Sequence, residues 1–484
     1  MATNELPDRP NIIFILTDDL DAQSIAVMPQ LKTRLTDQGT TFSDYFVNVS
    51  LCCPSRAAIL RGQYSHNTEV LTNSPPTGGF EVFRATGKEN STVATWLQAA
   101  GYQTVLLGKY LNGYPAQDER TYVPLGWSEW YSPAGGNPYS NFNYRMNENG
   151  RLVSYGEQPQ DYMTDVLARK ANNFIRRTAA SGVPFFMYLA TYAPHGPATP
   201  APRHQDAFAG VKAPHPPSFN EADVSDKPEH IRNRPLLEPR EIEQIDQLYR
   251  KRLQSLLAVD DLIARLVATL EATGQLENTY IFFTSDNGFH LGQHRLPQGK
   301  TTAYEEDIRV PLIVRGPGVP AGRVLDHFAI NVDFAPTFAE LAGTTVPDFI
   351  DGRSLAPLLG SNPPPTDDWR QASLIEHWVQ RSNSRSPKSD SGVLEPPDSP
   401  ERRLAQQPTG IPEFAAVRTK DHLYVEHVTG ERELYDLNND PYELQSLHAI
   451  ADPLLLNQLS SRLSELRRCA SASCRAAESA PLKD

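Results

Sequence analysis

Long apolar runs are missing from this chain of 484 residues. No stretch reaches the roughly 18 consecutive apolar residues that a bilayer-crossing helix needs, which argues against a membrane span. Positive charge is also in short supply. Lysine and arginine total 45 against 58 aspartates and glutamates, a net charge of −13. A protein that grips nucleic acid through its backbone needs a basic face, so that partner is not expected. Cysteine is scarce as well. Four residues in a chain this long cannot form a disulfide scaffold. The opening MATNELPDRP has neither a basic stretch nor an apolar core of the kind a secretory leader carries. The expectation is therefore cytoplasmic if Met1 is the native start, and secreted or periplasmic if a leader has been removed. No internal repeat is visible at a fixed period. What the chain does have is a globular composition, 41 prolines, and a length that suits two or three domains or one large α/β domain with an appendage.

Apolar and amphipathic segments alternate along the chain. Residues 11–16 (NIIFIL), 103–107 (QTVLL), 184–190 (PFFMYLA), 280–283 (YIFF) and 310–314 predict short strands, the first of them buried on both faces. Residues 91–100, 161–180 and 241–273 predict helices, the last as one long helix or two. Such alternation implies an α/β fold: a large, mostly parallel central sheet sandwiched by helices. Beyond about residue 360 the texture changes. Segment 381–409 is rich in Ser, Pro, Arg and Asp and reads as a long flexible loop. Residues 414–418 and 422–427 then alternate like antiparallel strands, and 454–466 predicts a terminal helix. The expected division is a catalytic domain over 1–365 and a smaller C-terminal α+β subdomain with an antiparallel sheet over 366–484.

Ligands of an open α/β sheet bind outside the carboxyl ends of its strands. The residues after each predicted strand are Asp18-Asp19, Gly108-Lys109, Pro194-His195 and Ser285-Asp286-Asn287-Gly288. Taken singly these are ordinary cap and turn residues. Together they converge three acids, an amide, a lysine and a histidine on one rim. Asp18, Asp19, Asp286 and Asn287 are hard oxygen donors that suit Ca²⁺, with Mg²⁺ second, better than Zn²⁺. Unpaired, three converging carboxylates would repel, and a bound cation would resolve the repulsion.

The sharpest local feature is Leu51-Cys52-Cys53-Pro54-Ser55-Arg56-Ala57-Ala58-Ile59-Leu60-Arg61-Gly62. A cysteine phosphatase loop wants arginine where Ala58 or Ile59 stands. A redox pair wants two residues between its cysteines, and a zinc site wants further ligands nearby. The pattern that fits is Cys52-Cys53-Pro54-Ser55-Arg56 followed by an apolar helix, and it resembles the signature of the formylglycine-dependent sulfatases, members of the alkaline-phosphatase-like superfamily. Asp18-Asp19, Gly108-Lys109, Ala193-Pro194-His195, Ser285 to Gly288, Gly299 to Glu305, and Leu434 to Leu437 with Asp440-Pro441 resemble further motifs of that family, in order along the chain. The double cysteine, Gly108 to Asn112 and Gly292-Gln293 are most similar to the branch of N-acetylglucosamine-6-sulfatases and heparan sulfatases.

The resemblance implies roles. Cys52 is the residue oxidised to Cα-formylglycine, by a formylglycine-generating enzyme as maturation partner. Asp18, Asp19, Asp286 and Asn287, with position 52, bind the cation. Arg56 orients the nucleophile, Lys109 and Lys300 hold the sulfate, and His195 is the general acid. The substrate is a sulfated carbohydrate or an aryl sulfate. Many sulfatases have a histidine where Leu111 stands, so Asn112, His290 or His294 takes that part, or the step differs; His290 and His294 are also candidate substrate contacts. Cys53 reads as a packing residue. Cys469 and Cys474 are either a disulfide or two free thiols. The segment 72–88, Glu376, His377, Trp378 and loop 381–409 are candidate rim elements. Two competing readings remain: a phosphate or phosphonate monoester hydrolase of the same superfamily, and an unmodified, non-catalytic binder of sulfated glycans.

Overall fold

A computed structural model describes residues 9–380 and 410–481; the predicted loop 381–409 lies outside them. The chain opens with β1 (Asn11–Asp18), whose eight residues are all buried, as its unbroken apolar run requires. There follow β2 (Thr40–Phe42), α1 (Cys52–Arg61), α2 (Val93–Ala99), β3 (Gln103–Gly108), β4 (Glu129–Gly136), β5 (Tyr144–Glu148), β6 (Arg151–Tyr155) and α3 (Met163–Ser181). Next come β7 (Phe185–Pro194), α4 (Pro239–Ala272), β8 (Thr279–Ser285), β9 (Leu312–Arg315), β10 (Arg323–Leu325) and α5 (Phe334–Leu341). The segment predicted as one long helix or two is therefore a single helix.

The ten strands form one sheet in the order β10-β2-β9-β8-β1-β7-β3-β4-β5-β6. Its centre, β8-β1-β7-β3-β4, is parallel throughout. Toward both margins the sheet turns antiparallel: β9 against β8 on one side, β5 against β4 on the other. The predicted strand at 310–314 thus begins two residues later than expected and runs against its neighbour. Separate apolar clusters cover the two faces. Phe14, Tyr188 and Phe282 pack with Phe334 and Phe338 of α5, while Ile13, Ile15 and Met187 pack with Val166 of α3 and Val259 of α4.

A second, antiparallel sheet is built from β11 (Ala372–His377), β12 (Phe414–Thr419), β13 (His422–His427) and β14 (Arg432–Asp436), and is followed by α6 (Pro453–Leu466) and α7 (Ala472–Ser479). It does not stand apart: Leu374, Val417, Leu434 and Leu463 share a buried cluster with Ala58 of α1 and with Tyr64, Ile330 and Val332. Glu376 and His377, expected at a rim, are instead buried in β11, where Glu376 bonds His66 and His377 lies on Phe414. Cys469 and Cys474 form a disulfide that staples the α6–α7 connection. Cys53 is fully buried in the first apolar cluster, as a packing residue should be.

Candidate active site

The carboxyl ends of β1, β7, β3 and β8 lie side by side, and the polar residues that follow them meet there. β1 delivers Asp18, and Asp19 then turns out of the strand at φ +64°. Lys109 follows Gly108, whose φ of +102° and closeness to the Ala190 carbonyl leave no room for a Cβ. That close approach lets the Lys109 amide bond the same carbonyl at 2.9 Å. β7 ends at Pro194, and His195 comes next.

Cys52 is the first residue of α1, so the helix N-terminus, with its unpaired amides and partial positive charge, points into this cluster. Pro54 sits in the first turn, where the amide it lacks is not needed. Gly62 ends the helix in the left-handed conformation, with its amide on the Ala58 carbonyl. All ten residues of α1 are buried.

Around the Cys52 Sγ lie Lys300 Nζ at 2.8 Å, Asp18 Oδ1 at 3.4 Å and Asp19 Oδ1 at 3.8 Å. Lys300 also donates to Asp19 Oδ1 at 2.5 Å, and Lys109 to Asp18 Oδ2 at 2.7 Å. Arg56 donates from Nε to Asp286 Oδ2 at 2.8 Å and from Nη1 to the Lys109 carbonyl at 3.0 Å. Asn287 donates to Asp19 Oδ1 at 2.7 Å. His195 Nε2 lies 3.5 Å from Asp19 Oδ2, and its Nδ1 is 2.8 Å from the Gly196 carbonyl. Since a carbonyl only accepts, Nδ1 carries the hydrogen and Nε2 is the nitrogen turned toward the carboxylate. Asp18, Asp19, Cys52 and His195 each present a ligating atom within 4.8 Å of the others. The structure therefore brings together nine of the residues singled out in the sequence: Asp18, Asp19, Cys52, Arg56, Lys109, His195, Asp286, Asn287 and Lys300.

The repulsion expected of the acids is already relieved, because Arg56, Lys109 and Lys300 pair with Asp286, Asp18 and Asp19. Charge alone therefore does not demand a cation, contrary to the expectation from sequence. Burial would raise the Asp18 carboxyl, but the charges of Lys109, His195, Arg56 and Lys300 outweigh it and hold that carboxyl below the usual range. Lys300 and His195 likewise overcome burial at Asp19. At Asp286 burial wins over Arg56 and lifts the carboxyl to about 6. Burial also pushes the Cys52 thiol well up, so the unmodified side chain is a neutral thiol and a weak nucleophile.

The donor set nonetheless fits a hard cation. Asn287 Oδ1 is buried without a hydrogen-bond partner while its amide nitrogen bonds Asp19, the arrangement an oxygen-seeking ion satisfies.

His290 and His294 part company. The short pairing of residues 290–291 with 298–299 sets His290 opposite Gly299, the neighbour of Lys300. Its Nδ1 is held by Asp307 at 3.0 Å, and its buried Nε2 has no hydrogen-bond partner. His294 pairs with Glu221 and lies tilted against Tyr304 in a different cluster, where burial pushes its imidazole down to about 3. Leu111 is buried among apolar neighbours.

Several residues at the site were missed from sequence. Arg252 of α4 donates to the Asp19 carbonyl at 2.5 Å and pairs with Asp21 at 3.1 Å. Tyr139 and Tyr192 flank Lys109, with ring centres 5.3 and 5.9 Å from its Nζ. Asn331 donates to Ser55 Oγ at 2.9 Å. None of them stands in a distinctive local pattern. Arg252 in particular reads as one more charge on an amphipathic helix.

A doubly flanked parallel sheet with acids, lysines and a helix-borne cysteine at its carboxyl edge defines a hydrolase of anionic esters. Residues 10–344 match the family model described as Sulfatase. The human N-acetylglucosamine-6-sulfatase is 38% identical over 486 residues, covering 96% of this chain and 86% of that protein. Among solved structures, BT4656 in complex with its substrate D-glucosamine-2-N,6-O-disulfate superposes with a TM-score of 0.76 at 26% identity, covering 95% of this chain and 98% of that one. The phosphonate monoester hydrolase from Silicibacter pomeroyi shares the fold, with a TM-score of 0.68 at 23% identity over 95% of both chains. The chain belongs to the sulfatase family, enzymes that hydrolyse sulfate esters.

Proposed function

We propose that this enzyme removes sulfate from sulfated sugars, with 6-O-sulfated glucosamine as the substrate class, using a Ca²⁺ ion and a formylglycine made from Cys52. The observation that carries the reading is the placement of Cys52 at the head of α1, with its Sγ against Asp18, Asp19 and Lys300. Asp18, Asp19, Asp286, Asn287 and position 52 would hold the ion. Bound there, it would polarise a sulfate oxygen and lower the pKa of the hydroxyl at position 52.

The remaining work falls to the chain's own residues. The three acids are already matched by Arg56, Lys109 and Lys300, with His195 beside Asp19, so a divalent ion would leave the site with surplus positive charge for the sulfate monoanion. Lys109 and Lys300 then become free to turn toward it as point charges. Arg56 fixes Asp286 and the Lys109 backbone, and His195 carries the proton for the leaving oxygen on Nε2. His290, beside Lys300, faces the sugar. The Cys469–Cys474 disulfide supports an extracytoplasmic place of action, and maturation of Cys52 calls for a formylglycine-generating enzyme.

The test compares hydrolysis of 6-O-sulfated glucosamine with that of the matching 6-phosphate, on protein whose Cys52-containing peptide has been weighed. The sulfate ester should turn over faster, and the peptide should show CH₂SH replaced by CHO. Faster phosphate hydrolysis would favour a phosphomonoesterase. Native protein with an intact thiol and no turnover would favour a silent glycan binder. Removing one of the two sulfate-holding charges gives a second test: Lys300→Ala should lower kcat/KM by about 10²–10³-fold, the usual loss for one preorganised charge. A loss under about tenfold would remove Lys300 from the sulfate site.

A further inference from the structure

Away from Cys52, a second group of ionisable side chains converges inside the protein. His294, Glu306 and Glu443 each present a ligating atom within 4.8 Å of the others. Each is anchored by one atom and leaves another idle. His294 Nδ1 lies 2.7 Å from Glu221 Oε2. Glu443 Oε2 accepts the Glu305 amide at 3.1 Å, and Glu306 Oε1 accepts Ser218 Oγ at 3.4 Å. The idle atoms, His294 Nε2, Glu306 Oε2 and Glu443 Oε1, are buried without a hydrogen-bond partner. His294 is 0% exposed and Glu443 1%. A buried polar atom left unsatisfied keeps its full desolvation cost, so three in one place call for an occupant. The nearby ammonium of Lys227 donates to the carbonyls of Glu443 and Leu444 instead.

We propose that His294, Glu306 and Glu443 form a second cation site that takes a first-row divalent ion of the Zn²⁺ type. One imidazole nitrogen and two carboxylates, with water in the open position, make a three-ligand set that suits such an ion. Ca²⁺ wants more oxygens and no nitrogen. Glu221 acts from behind: a carboxylate that receives the Nδ1 hydrogen fixes the tautomer whose Nε2 lone pair faces the metal.

The site joins distant stretches of chain. Ser218 and Glu221 precede α4, His294 and Glu306 flank Lys300, and Glu443 follows β14. The backbone it would hold is strained, with His294, Arg295 and Thr301 at φ +52°, +60° and +81°. Non-glycine residues stay in that region only where surrounding contacts hold them. The ion would be a staple on the loop that presents Lys300.

The test uses the full chain, stripped of metal, saturated with Ca²⁺ to occupy the oxygen-rich site at Asp18 and Asp19, and then titrated with Zn²⁺. Wild-type protein should retain one Zn²⁺ more per chain than His294→Phe or Glu443→Gln by elemental analysis after gel filtration. Zn²⁺ should raise the Tm of the wild type alone. The near-isosteric Glu306→Gln, which keeps the shape of the cluster if His294→Phe does not fold, should weaken Zn²⁺ binding by about 10-fold or more. Equal Zn²⁺ in wild type and variants overturns the proposal. So does a wild type that takes none, which would leave the three groups sharing a proton, or an equivalent lost only in Asp18→Asn.

Discussion

Cys52→Ala should abolish turnover and leave the fold in place. The side chain is small and fully buried, so its truncation should cost only about 1 kcal/mol of stability, the typical value for a point mutant. The kinetic effect is of another order. Removing the nucleophile from a site that otherwise keeps its charges typically costs about 10⁴-fold or more, because the remaining groups have nothing to activate. Cys52→Ser sharpens the test: it supplies one hydroxyl where a hydrated aldehyde carries two, and it should fail in the steady state as well. The measurements are kcat/KM on 6-O-sulfated glucosamine beside thermal melts. Residual activity within tenfold of wild type in Cys52→Ala would remove the residue from the chemistry altogether.

The second large effect concerns stability. Arg370 is fully buried and clamps two carboxylates, Asp333 through both terminal nitrogens and Glu478 through Nε at 2.8 Å. Asp333 stands just before α5, whose phenylalanines pack on β1; Glu478 belongs to α7 at the far end of the chain. Glu478 is shared with Arg353 at 2.8 Å and with the Tyr64 hydroxyl. Arg370→Met would leave a buried acid without its partner, and breaking such a pair costs about 3–5 kcal/mol. Chemical denaturation should show that loss. Arg370→Lys should recover part of it, since the charge remains but the planar fork does not. A loss below about 1 kcal/mol in Arg370→Met would mean that the two carboxylates are held by their other partners.

Much of this architecture is legible in the amino-acid sequence. Segment 11–16 was legible because a strand buried on both faces leaves an unbroken apolar run, and Asp18-Asp19 stood out by ending it. Eight of the nine clustered residues were legible because each lies within a few positions of a strand end or in the cysteine motif; Lys300, well past the end of β8, was legible only through the resemblance of Gly299 to Glu305 to a family motif. The reversed direction of β9 was not, since a short strand carries the same apolar run whichever way it points. The ion pairs were also hidden. Lys109 meets Asp18 across 91 residues and Lys300 meets Asp19 across 281, and no local pattern reports such a meeting. That is why a site that reads as a repelling acidic cluster is in fact balanced. His294 misled for the same reason: four residues from His290 in sequence, it finds its partner at Glu221 and its neighbour at Glu443. The Cys469–Cys474 pairing needed the turn between α6 and α7 to bring the two sulfurs together.

The complete burial of α1 also sets an order of events. In the closed fold the Cys52 side chain has no exposed surface, and Ala58 of the same helix packs against the second sheet. On the proposed function, the burial of Cys52 predicts that its conversion comes before the closing elements, β11 to α7, arrive from the far end of the chain. The active fraction of a preparation would then be set during synthesis, before the chain closes over α1.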